Sequence, residues 1–119
     1  MRAHLSPVLS LSLSVLLSCA GPPDPCTEMC AAAAELYGGC LTDWGVDWAA
    51  AGYADVDAFT EACETWAWEQ RLLEEDAIDR GRAEAEGRTD AACEERETAF
   101  RAEDAECTAY TELDWQGPL

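Results

Sequence analysis

Lysine and asparagine are absent from the chain, and all five serines and the one histidine, His4, lie at or before Ser18. From Cys19 onward a Ser-His-Asp triad, a Cys-His pair and every histidine metal ligand are therefore excluded. A lysine Schiff base goes with them, as does a phosphate-cradling P-loop, which needs its Lys. No G-x-G-x-x-G occurs. Basic residues are few, with seven Arg against 25 acids and a formal charge of −18. Phosphate contacts need clustered Lys and Arg, so nucleic acid is excluded as a partner. Carboxylate pairs could still serve acid–base chemistry. Acids on helix faces are ordinarily solvated surface, however, and the expectation is a chain that is not an enzyme and uses no cofactor.

The N-terminus reads as an address. Met1, Arg2, Ala3 and His4 precede an uncharged stretch from Leu5 to Ser18. A short positive start before an apolar run of about 7–15 residues is the pattern of a secretory signal. A membrane-spanning helix would need roughly 20 apolar residues. The run closes with Leu16-Leu17-Ser18-Cys19, which resembles the lipobox of bacterial lipoproteins. Leu16 and Ser18 fit the −3 and −1 positions and Cys19 the +1 position, while Leu17 stands at −2, where smaller residues are more usual. The resemblance implies acylation of the Cys19 thiol, cleavage before Cys19 and a membrane partnership through the acyl chains. By the same resemblance, Ala20 rather than Asp after Cys19 favours the outer membrane. Ordinary signal cleavage after Ala20 is the alternative. One acyl chain holds a protein marginally and two hold it stably.

Seven cysteines are present, at 19, 26, 30, 40, 63, 93 and 107. An odd count in an exported chain needs an explanation. Acylation of Cys19 supplies it and leaves Cys26, Cys30, Cys40, Cys63, Cys93 and Cys107 for three disulfides, which persist outside the cytoplasm. Zinc is the rival use, because Cys26 and Cys30 have ligand spacing. Cys93 and Cys107 are too far apart to complete such a site, and no metal is expected. Cys30 and Cys40 are similar to half of a twin C-x9-C helical hairpin, but the other half is missing.

The expected fold is all-α: a small disulfide-stapled bundle of about three helices with a short Trp-containing helix or loop. The division is a signal at 1–18, an acylated tether at 19–25 stiffened by Pro22, Pro23 and Pro25, an acidic domain at 26–115 and a tail at 116–119. A first helix starts near Asp24 and stops at Tyr37, before Gly38-Gly39. Trp44 and Trp48 lie in the least regular stretch, Cys40 to Ala54. Asp55 opens a second helix whose stripe Val56, Phe59, Cys63, Trp66, Gln70, Leu73 and Ala77 reads as core, widened by Trp68 and Leu72. A polar connector at 81–88 leads to a third helix from about Thr89 to Leu113, with Cys93, Phe100, Cys107 and Tyr110 inward. A hairpin of these two helices centred near residue 85 pairs Cys63 with Cys107. Cys93 then takes one of Cys26, Cys30 and Cys40, and the remaining two join each other.

As a whole the chain resembles the small Cys-rich lipoproteins of high-GC bacteria such as myxobacteria. Signal, lipobox, cysteine spacing and Trp-rich segment carry the resemblance. It brings no activity with it. The expected function is a lipid-anchored envelope protein serving as a non-catalytic interaction or structural module. Its partner would be an envelope protein or glycan, with Trp44 and Trp48 as a possible partner surface. A cation-binding surface is the alternative, and a redox or enzyme domain stands behind it.

Overall fold

A computed structural model describes residues 21–111, 113 and 115. The expected signal at 1–18, Cys19 and the expected tail at 116–119 lie outside the described residues. The fold is all-α and disulfide-stapled, with no strand among the described residues. Its helices are α1 (Pro25–Asp43), α2 (Val56–Asp79), α3 (Arg88–Arg101) and a single turn, α4 (Thr108–Thr111).

Asp24 caps α1 by accepting from the backbone N–H of Cys26 at 2.9 Å and of Thr27 at 3.0 Å, with Pro25 in the first turn. The helix does not stop at Gly38-Gly39 as the sequence suggests. It runs on to Asp43, burying Cys40 and Leu41. Each interior glycine costs about 1 kcal/mol relative to Ala, but tertiary burial overrides propensity of that size. The true end is at Gly45, whose φ of 71° suits a left-handed cap. There Gly45 N–H donates to the Thr42 carbonyl and Val46 N–H to that of Leu41.

Asp55 caps α2 as its sequence predicts, accepting from Ala58 N–H at 2.8 Å. The buried face of α2 is Phe59, Cys63, Ala67, Gln70 and Ala77. Val56, Leu73, Trp68 and Leu72, expected in or beside the core, are exposed instead. Between α2 and α3 the connector makes a 3-10 turn at Ala83–Ala85 and buries Ala85.

The third helix is shorter than its sequence suggests. It ends at Arg101, and Ala102 is extended. Between Phe100 and Cys107 only Ala102 and Ala105 are apolar, so nothing large packs the next turn against α1. Helices of this length depend on such packing.

The disulfides are Cys26–Cys93, Cys30–Cys63 and Cys40–Cys107. The expected Cys63–Cys107 bridge is not formed, nor do the two cysteines left after Cys93 pairs, Cys30 and Cys40, join each other. The cause is the hairpin's centre. Arg71 meets Asp90, Glu74 meets Thr89 and Trp66 meets Arg96, so the α2–α3 crossing is centred near residue 81 rather than 85. Cys63 would then face the region of residue 99, and it points to α1 instead. With Cys40 kept helical, α1 carries three half-cystines on one stripe, and each reaches a different segment.

The helices run up, down, up. Cys26–Cys93 and Cys40–Cys107 share a sequence separation of 67, which sets the segment from Cys93 to Cys107, and with it α3, parallel to α1. Cys26, Ala33 and Cys40 step by seven, as do Cys93, Phe100 and Cys107. Ala33 and Phe100 meet in the common core with Met29, Phe59 and Ala67. At the pole where α1 begins, Arg71 of α2 binds Asp24 at 2.7 Å and Asp90 of α3 at 3.0 Å, joining all three helices.

Candidate functional site

Nine of the ten aromatic rings form one connected cluster. Tyr37 on α1 is its hub, stacked on Tyr110 at 4.4 Å and edge-on to Trp44 and Trp48. Phe59 sits beneath Trp48, Tyr53 and Tyr110. Trp115 folds back onto Trp66, with centroids 5.1 Å apart, and its carbonyl accepts from Trp66 Nε1 at 2.9 Å. The Arg96 guanidinium lies over both of these indoles.

The Trp44–Trp48 pair thus divides. Trp44 is 52% exposed at the edge of the cluster. Trp48 is half-buried and packs on Gly38, Tyr53 and Phe59. The stretch that carries them is a series of turns and not a helix. A flat two-indole platform is therefore not presented, and Trp48 belongs to the core.

A cleft of about 210 Å³ opens between α2, Tyr53, Tyr110 and Trp115, walled by the rings of Phe59 and Trp66. It is smaller than the roughly 300–1,000 Å³ typical of ligand sites, and among the described residues its lining carries no ionic side chain. Burial pushes the Tyr110 hydroxyl above its ordinary range, with Tyr53 and Tyr37 adding to the effect. That hydroxyl therefore stays protonated through the neutral range.

The bridges are buried. Cys26, Cys30, Cys40, Cys63 and Cys93 are inaccessible, and Cys107 is half-buried. Such bridges are structural in character, whereas reactive ones are exposed. Among the described residues, no group of three or more His, Cys, Asp or Glu side chains is gathered where it could hold a metal ion. Among them, too, no helix is long and apolar enough to cross a membrane.

Two carboxylates are instead spent on helix ends. Glu74 of α2 accepts from the backbone N–H of Thr89 at 2.9 Å and from that of Gly87, which begins α3 without a side chain of its own. Burial would raise the Glu74 carboxyl, but the hydrogen bonds from Thr89 and Gly87 outweigh it and hold it below the ordinary range. Asp24 is held low in the same way: burial opposes, while Arg71 and the amides of Thr27 and Cys26 prevail.

The tenth aromatic, Trp68, stands apart from the cluster. It is 59% exposed on the outer face of α2, one turn from Leu72 at 42% and close to Leu73 at 50%. The sequence pattern placed Trp68 and Leu72 beside the core. The helical wheel carries the opposite signal, because Leu72 follows Cys63 by nine residues, about 180° at 100° each. No family model matches the chain, and no curated protein or solved structure is similar to it.

Proposed function

We propose that this chain is an exported envelope protein, held to the outer membrane by acyl chains on Cys19, whose helical domain is a non-catalytic interaction module. The observation that carries the reading is the pairing of Cys26, Cys30, Cys40, Cys63, Cys93 and Cys107 in three bridges. They use every cysteine after Cys19, so the odd thiol falls on the lipobox position. Bridges of this kind persist in oxidising compartments. The interaction role rests on a rigid cross-linked scaffold and on large apolar side chains left outside the core.

The anchor is tested with Cys19→Ser in the full chain. The variant should keep the precursor mass and carry no acyl mass. Recovery of the variant in the membrane fraction at the processed mass defeats the proposal.

A further inference from the structure

We infer that the outer face of α2, centred on Trp68 and Leu72, docks a basic amphipathic segment of a partner protein. The inference rests on the interaction-module reading and names the surface and the partner's chemistry. Trp68 and Leu72 lie one turn apart and project within about 40° of each other on the side of α2 facing away from Cys63. Neither is needed by the core. Trp68 touches none of the nine clustered rings, and Leu72 is absent from the residues packed on the core. Exposed large apolar side chains rimmed by polar ones mark interaction surfaces.

The rim decides the occupant. Glu61, Glu64, Glu75 and Asp79 share this side of the helix, all exposed. Among the described residues none of the four takes part in an ion pair. Arg71, within α2, and Arg80, its C-cap, are used elsewhere: Arg71 holds Asp24 and Asp90, and Arg80 holds Asp76. The surface therefore offers an indole and a leucine flanked along the helix by unneutralised carboxylates, Glu61 and Glu64 before them and Glu75 and Asp79 after. An apolar face flanked by Lys or Arg is its complement. An anionic lipid surface is repelled by the same acids. A second copy would bring two such sets of acids together, on a chain whose formal charge is −18.

The test uses the full chain and a labelled 18-residue Leu/Lys amphipathic helical peptide, with oligolysine of equal charge as the polar probe. The expected result is micromolar binding of the amphipathic peptide and at least tenfold weaker binding of oligolysine. Trp68→Ala with Leu72→Ala should weaken the peptide at least tenfold, while Trp44→Ala changes it less than twofold. Both replaced side chains are exposed, and unchanged circular dichroism verifies the fold. Equal loss in the Trp44 variant, or equal binding of oligolysine, overturns the inference. So does Trp68-dependent sedimentation with phosphatidylglycerol vesicles, or Trp68-dependent self-association by ultracentrifugation. The Cys19→Ser chain, measured in parallel, should bind the peptide unchanged, so the anchor and the docking face fail separately.

Discussion

Trp48 rests on Gly38. A Cβ placed on that glycine would meet Trp48 Cζ2 at 3.2 Å, whereas one on the adjoining Gly39 would meet nothing within 4 Å. Two neighbouring glycines in one helix therefore answer to different forces. Gly39→Ala should raise stability by about 0.5–1 kcal/mol, the helix-propensity difference. Gly38→Ala gains the same propensity but displaces an indole, and should fall at least about 1 kcal/mol short of its neighbour. Thermal melts of the two variants check this. Near-ultraviolet circular dichroism should change only for Gly38→Ala.

The bridging pattern is open to direct mapping. Unreduced protein digested with trypsin and a Glu-specific protease should yield linked peptides for Cys26–Cys93, Cys30–Cys63 and Cys40–Cys107. A Cys63–Cys107 peptide would contradict the fold. Replacing Cys30 and Cys63 together by Ala should cost about 2–5 kcal/mol in denaturant unfolding.

Much of this fold is legible in the sequence, and each miss has a physical cause. Caps are local, so Asp24 and Asp55 announce α1 and α2 correctly. Gly38-Gly39 is also a local signal, and it misleads because Trp48, ten residues beyond Gly38, fills the space that the glycine leaves. That one error carries into the disulfides. Cys40 lies fourteen residues after Cys26, just under four turns, so an unbroken helix puts Cys26, Cys30 and Cys40 on one stripe. The matching step from Cys93 through Phe100 to Cys107 then becomes readable. Trp68 is a different kind of miss. Apolar spacing alone does not say which side of α2 faces α1, and the direction of Cys63 decides it.

Acid should uncouple Glu74 from α3. Its folded carboxyl titrates below the ordinary value, so the stabilisation it gives is complete above the unfolded value and is lost as pH falls through the folded one. Glu74→Gln should cost about 1 kcal/mol near neutrality. The difference from wild type should hold down to about pH 5 and close below about pH 4. Urea unfolding of both proteins across that range measures it. A difference independent of pH would assign the cost to packing rather than charge.

Arg71 gives a salt-dependent counterpart. Its pairs with Asp24 and Asp90 are partly exposed. Arg71→Ala should cost about 1 kcal/mol or less at low ionic strength. Most of that loss should disappear in about 1 M NaCl, where the screening length is near 3 Å. Chemical denaturation with urea, which is uncharged, keeps the salt axis clean.

The two bridges of equal separation turn the domain into a mechanical ring. Cys26 and Cys40 are fourteen residues apart on α1, and Cys93 and Cys107 are fourteen apart on the other side. Tension applied to the chain before Cys26 and after Cys107 passes between them along either arm. Fourteen residues of chain, about 50 Å at full stretch, therefore bound the distance to which the oxidised domain can open between those points. The whole of α2, hanging between Cys40 and Cys93, carries none of the load. A protein built this way keeps α2, and whatever face it presents, in shape while being pulled from its ends.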